Sequence, residues 1–172
     1  MVTIRAEIST DIARREVLLN QAFGPKRLRK TSEKLRNGRV PALAFAAVDD
    51  NGKLIGTVRL WNIIAGSAGS SLLLGPLAVD CNHQGAGLGR TLMEQAIFAA
   101  RDLGADSILL VGDEPYYSRF GFKAALTRSL HLPGPVERNR FLGLELEPQA
   151  LDDAEGLVAA SGEIIDNVAV AA

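Results

Sequence analysis

The sequence holds a single cysteine, Cys81, and only two histidines, His83 and His131. One thiol excludes an intrachain disulfide and any cysteine metal cluster, and no metal is expected. A cytoplasmic chain is the plain expectation. Charge of one sign is also missing: 19 Lys and Arg stand against 20 Asp and Glu, for a formal net charge of -1. Nothing draws the whole chain to nucleic acid or an anionic membrane, and neither is expected as a partner. No run approaches the roughly 18 apolar residues of a membrane span. The opening MVTIRAEIST has acidic and polar residues where a signal peptide needs an apolar stretch. What is present is 47% hydrophobic and 23% charged residues across 172 positions, enough for one globular domain around one core. That domain is expected over residues 1–148, with residues 149–172 an Ala-, Gly- and Asp-rich tail whose order is left open.

Along the chain, residues 2–8 alternate apolar and polar, which predicts a first strand. Ser9 or Thr10 is placed to cap a helix ending at Gly24-Pro25. The basic stretch 26–37 is helix-compatible and reads first as a solvated face, with an acidic substrate or RNA as the functional alternative. An apolar run at 43–48, the turn Asp49-Asp50-Asn51-Gly52 and a return strand at 54–64 predict a hairpin. On the return strand Thr57, Arg59 and Trp61 share a face. Arg59 and Trp61 there are candidates for an acceptor pocket, or for half-buried sheet packing.

The informative unit follows. A strand at 72–79 ends in the turn CNHQGAGLG, and a helix runs from about Gly87 to Leu103 with apolar residues at helical spacing. A short strand at 107–111 comes next. Strand, crossover helix and strand make a right-handed unit with parallel strands. A short helix at 115–120 and a last strand at 140–146 complete the reading. At the turn, glycines let the backbone approach a ligand, and the first N–H groups of the helix lack intrahelical acceptors. With the helix dipole they form a cradle for pyrophosphate. A tight turn needing glycine only for packing is the competing account. No Gly-Lys-Ser/Thr follows, so Walker A is excluded. Gly85, Gly87 and Gly89 are spaced in twos, which weakens a dinucleotide-binding βαβ module without excluding it.

The segment Gln84-x-x-Gly87-x-Gly89 resembles the Q/R-x-x-G-x-G/A signature of the GNAT N-acetyltransferases. It follows a strand ending Leu77-Ala78-Val79-Asp80, as in that family. Downstream, Tyr117-Ser118-Arg119-Phe120-Gly121-Phe122 resembles the family's Y-x-x-x-G-F segment. The run GDEPYYSRFGF with RFLGLEL is similar to the YhbS-like bacterial branch. The close match spans about a third of the chain.

The resemblance implies an α+β (mixed α/β), GNAT-like fold. Its central mixed sheet is mostly antiparallel, flanked by helices, with one parallel strand pair at the acetyl-CoA site. It implies acetyl-CoA as cosubstrate and a small-molecule or protein amine as acceptor, and it is compatible with a homodimer. Pyrophosphate would meet the loop formed by Gln84, Gly85, Ala86, Gly87, Leu88 and Gly89, with Arg90 close by. The pantetheine arm would pair with Leu77, Ala78 and Val79. The amine would attack the thioester directly, without an acetyl-Cys81 intermediate. The Leu77 N–H would stabilise the oxyanion, and Tyr117 would protonate the departing thiolate. An aromatic core role for Tyr117 competes, and Tyr116 is the neighbouring alternative. Asp80, His83, Asp113, Glu114 or a water chain remain as the base, and none is chosen. A noncatalytic acyl-CoA-binding module is the rival reading.

Overall fold

The structure is a computed structural model that describes residues 1–166; the last six residues of the tail, 167–172, lie outside the described residues. Its strands are β1 (Thr3–Ala6), β2 (Leu43–Val48), β3 (Leu54–Ala65), β4 (Ser70–Val79), β5 (Ser107–Val111), β6 (Ser129–His131), β7 (Phe141–Glu145) and β8 (Glu155–Ala160). Its helices are α1 (Asp11–Phe23), α2 (Leu88–Asp102) and α3 (Glu114–Tyr117). The main sheet runs β1-β2-β3-β4-β5-β7. Every neighbouring pair along it is antiparallel except β4 and β5.

The hairpin joining β2 to β3 turns where Asn51-Gly52 predicts it. Gly52 adopts φ 74, and the Asp49 carboxylate accepts the N–H groups of Asn51 and Lys53. Helix α2 buries Leu88, Leu92, Met93, Ala96 and Ala100 on one stripe against β3 and its neighbours. Each large apolar side chain there stabilises by about 1.5–3 kcal/mol. Leu103, expected on that stripe, is exposed, because α2 ends at Asp102 and Gly104 turns the chain away at φ 85.

Three segments differ from the sequence expectation. The 26–37 stretch forms two 3-10 turns, Pro25–Arg29 and Thr31–Leu35, in place of a solvated helix face. Arg27 and Arg36 within it are buried. Thr10 occupies the cap position of α1 but contributes no side-chain bond. The buried Asp11 carboxylate instead turns back to the segment before the helix, accepting the Ile8 N–H and two bonds from Arg5. Strand β7 is not the last, since β8 pairs antiparallel with β3 and parallel with β6. Part of the tail is therefore sheet, and Leu151, Ala154 and Val158 pack into the core on that side.

A buried ionic network ties β1, α1 and β3 together. The Glu7 carboxylate accepts from both Arg15 and Arg59, with all three side chains nearly enclosed. Arg15 reaches on to Glu16, which also receives Arg27. Removing one member strands its partners in a medium that disfavours lone charge. Glu7→Gln is expected to lower stability by about 3–5 kcal/mol in urea unfolding at unchanged m-value. A loss under about 1 kcal/mol would show the network to be solvent-screened.

Candidate active site

Strands β4 and β5 pair only at Leu72↔Ile108 and Leu73↔Leu109. The closed end is stitched by the buried hydroxyls of Ser71 and Ser107, 2.7 Å apart, with Ser71 Oγ also donating to the Ser107 carbonyl at 3.0 Å. Beyond Leu73 the strands part. The cause is legible in β4. Against β3, Val58 faces Leu77 while Leu60 faces Leu74, so Gly75 and Pro76 together oppose Arg59. This is a bulge, and it bends its strand. The Trp61 indole pins it, donating to the Gly75 carbonyl at 2.6 Å.

The separated strands enclose a cavity of about 570 Å³. Residues 73–77 form one wall and residues 110–113 with Tyr117 the other, and the two 3-10 turns lie over it. Leu77 therefore stands beside Tyr117 and Asp113 in one space. Arg59 and Trp61 do not line this space, contrary to one of their sequence readings. Arg59 is held by Glu7 and stacks over the Trp61 ring at 5.4 Å, while Trp61 is buried on the bulge.

Leu77, Ala78 and Val79 continue β4 toward the signature loop. Gly85 and Gly87 adopt φ 81 and φ 80, and a β-carbon at either would meet nothing within 4 Å. The positive φ thus sets the turn, and the space in front of it is open. Gln84 does not point into that space: its side-chain amide donates to the Val79 carbonyl at 3.3 Å, folding the loop back on β4. Gly87 begins α2 without a side-chain cap, and the first intrahelical bond is Thr91 N–H to the Gly87 carbonyl. The N–H groups of Leu88, Gly89 and Arg90 hence have no intrahelical acceptor. Exposed Ala86 lies between the two positive-φ glycines, and Arg90 pairs with Glu94 at the surface. Pyrophosphate fits this cradle: donors without intrahelical acceptors, a helix dipole and open space in front of Gly85 and Gly87.

The two tyrosines divide the site. Tyr117 packs over Gly112, where a β-carbon would come within 2.2 Å of its ring. Its ring packs against the main core and Phe122, while its hydroxyl has no hydrogen-bond partner among the described residues. Burial, with Tyr116 and Asp113 nearby, pushes the Tyr117 phenol up to about 12, so it is protonated throughout the neutral range. Tyr116 crosses Tyr117 edge-on at 4.9 Å and carries its hydroxyl to the start of α2, 3.1 Å from where a β-carbon on Gly89 would lie. Sequence reasoning named Tyr116 only as a rival for the proton, because a motif does not say where a neighbouring ring points.

The four base candidates are spread out. Asp80 lines a separate groove of about 860 Å³ on the α1 side of the loop, together with Cys81. It caps the turn at Cys81–His83 by accepting the Asn82 N–H, as a strand-end aspartate does. The Lys53 ammonium, then that N–H, hold its carboxyl at about 2, too weak a base for the task. His83 sits 3.5 Å from Asp80, and Glu114 accepts the Ala124 N–H. Asp113 alone of the four reaches the main cavity, and Arg140 binds it at 2.7 Å.

The chain belongs to the GNAT acetyltransferase family. Residues 41–124 match the acetyltransferase (GNAT) domain. Over 156 residues the chain is 31% identical to the uncharacterised N-acetyltransferase YhbS of Escherichia coli K12, covering 90% of this chain and 93% of that one. Its fold is similar to the crystal structure of Escherichia coli YhbS in complex with CoA, at TM-score 0.79 and 30% identity over 93% of this chain and 89% of that one. It is also similar to a GNAT family acetyltransferase from Brucella melitensis in complex with acetyl-CoA, at TM-score 0.69 and 28% identity, over 94% and 96% of the two chains. No helix among the described residues is long and apolar enough to cross a membrane.

With only two tyrosines in the chain, the environment of each is directly readable. In a rapid alkaline pH jump followed by phenolate absorbance, one tyrosine is expected to ionise late, near pH 12. Tyr117→Phe should remove that step and leave the earlier one. Two tyrosines ionising together at an ordinary value near 10 would contradict a buried Tyr117.

Proposed function

We propose that the chain moves an acetyl group from acetyl-CoA to a primary amine by direct attack within a ternary complex. The observation that carries this reading is the shared cavity. The edge of β4 left open toward β5, with Leu77, faces a protonated tyrosine whose hydroxyl has no hydrogen-bond partner among the described residues. The helix start lies beyond the end of the same strand. Leu88, Gly89 and Arg90 N–H groups receive the pyrophosphate, on the loop shaped by Gln84, Gly85, Ala86 and Gly87. Leu77, Ala78 and Val79 offer their backbone to the pantetheine arm, as an added strand would use it.

The neutral amine attacks the thioester carbon and forms the C–N bond. Negative charge gathers on the carbonyl oxygen, and the Leu77 N–H is the preorganised donor there. The C–S bond then breaks, and the thiolate takes a proton from the Tyr117 hydroxyl. A phenol held near 12 remains a donor at every working pH. The amine gives up its proton to water at the open mouth; Arg36 engages Glu33 and Arg140 engages Asp113, and Glu137 lies exposed at the rim. Cys81 takes no part: it is exposed and lines the other groove. The acceptor enters under the 3-10 turns, and we place the reaction in the cytoplasm, where a lone thiol stays reduced.

Tyr117→Phe keeps the ring on Gly112 and deletes only the proton. In an acetyl-CoA assay of thiol release across an amine panel, kcat is expected to fall about 10²–10⁴-fold. CoA affinity by calorimetry should stay within about twofold of the parent value. An unchanged kcat would reduce Tyr117 to packing. CoA binding with no turnover of any amine by the unaltered protein would favour a noncatalytic acyl-CoA-binding module.

A further inference from the structure

The cavity beside Leu77 is lined by five cations, Arg27, Arg29, Lys30, Arg36 and Arg140, and by three acids, Glu33, Asp113 and Glu137. The pairings leave a local surplus. Arg27 is engaged by Glu16 and Asn20, outside the cavity wall. Arg140 takes Asp113, and Glu137 is exposed. Arg36 is the unusual member. Its side chain is 9% exposed, yet only one of its three nitrogens is satisfied: Nη2 meets Glu33 at 3.1 Å and Ser32 at 3.2 Å. Nε is buried with no partner. Nη1 has no hydrogen bond among the described residues and stands 3.3 Å from where a β-carbon on Gly75 would lie. That places an under-used guanidinium against the β4 bulge, two residues before Leu77.

An unsatisfied buried nitrogen is destabilising, more so when charged, and a planar guanidinium is matched by the paired oxygens of a carboxylate or phosphate. Lys30 adds to the surplus. Its ammonium lies over the Phe23 ring at 4.9 Å, and burial, then Arg36 and Arg140, push its pKa down. Lys30 and Arg36 thus converge with one paired carboxylate, Glu33, between them among the described residues. The pyrophosphate cradle is elsewhere, at the start of α2, and none of residues 84–90 lines this cavity.

We propose that the acceptor is a small amine carrying a carboxylate or phosphate group, and that Arg36, assisted by Lys30, receives that group and so selects the substrate. The inference rests on the acetyl-transfer reading. The anion sits by Gly75 while the amine reaches Leu77, a span of roughly 6–7 Å along an extended strand. A short linker between amine and acid therefore suits the site.

Two kinds of measurement test this. In the first, thiol release from acetyl-CoA is followed with matched acceptors: β-alanine against its amide, and phosphoethanolamine against ethanolamine. At least one anionic acceptor should exceed its neutral partner in kcat/KM by about tenfold or more. Which pair shows it separates carboxylate from phosphate. Arg36→Gln should cut that ratio to about threefold or less, and Lys30→Met should lower it by a smaller factor. The KM for acetyl-CoA should move by no more than about twofold. In the second, succinate and inorganic phosphate are titrated by calorimetry into the protein with and without saturating CoA. One of the two should bind, and the binding should be lost in Arg36→Gln whose thermal transition is intact, or weakened in Lys30→Met should the first variant not fold. Equal use of acid and neutral acceptors would overturn the inference, as would binding of neither probe to protein that does bind CoA. An Arg36→Gln variant that raises only the acetyl-CoA KM would assign Arg36 to the cosubstrate's phosphates and overturn it too. Failure of CoA itself to bind would instead sink the acetyl-transfer reading, and the probe titrations would still decide whether Arg36 holds an anion.

Discussion

Two parallel strands that share only two residue pairs are the constraint on which the rest of this molecule depends. β5 is paired on its other edge along its whole length by β7, and β4 is paired by β3. Beyond Leu73 the two strands make no ladder pairs with each other among the described residues, so their facing backbone edges are left open. Buried backbone groups require partners, so the split is a standing request for an extended, polar chain. It is held closed at one end by the Ser71 and Ser107 hydroxyls and kept open at the other by the bulge at Gly75 and Pro76. The same bulge offers its carbonyl to Trp61, so the core and the site share a single fixed point. Gly112 and Tyr117 then set the width of the opposite wall.

Charge is distributed in two different ways around this opening. Behind it, the carboxylates of Glu7 and Glu16 are shared among Arg15, Arg59 and Arg27, so each guanidinium has an acid partner and early helix and sheet are locked. Over it, Arg36 and Lys30 are drawn together with insufficient acid. The first arrangement fixes geometry and satisfies itself. The second is incomplete without something brought from outside. A net charge of -1 conceals this contrast, since both groups vanish into the same sum.

The sequence was informative where one short segment determines its own shape. Asn51-Gly52, the glycine-spaced loop before α2 and the apolar stripe of that helix each dictate local geometry, and each stands where expected. The motif likewise located Tyr117, because its ring needs Gly112 and Phe122 nearby in the chain. Long-range choices were hidden. β8 has ordinary composition, and only its docking on β3 and β6 makes it a strand. The basic stretch looks solvated as a helix, but the 3-10 turns roll Arg27 and Arg36 inward. Trp61 was assigned to a face correctly, yet its indole partner lies fourteen residues away on the bulge, which no local pattern announces. The run of cations at 26–36 was the one available signal for the acceptor side, and its weight depended on burial.

The central claim is that the free N–H groups at the start of α2 and the open edge of β4 hold CoA together. Backbone amide chemical shifts and hydrogen exchange, recorded with and without CoA, test it residue by residue. The account predicts that the amides of Leu88, Gly89 and Arg90, with those of Leu77 to Val79, shift and gain protection, while Arg14, Val17 and Lys53 on the far side of the second groove stay unperturbed. Perturbation confined to that second groove, with residues 88–90 unmoved at saturating CoA, would contradict it.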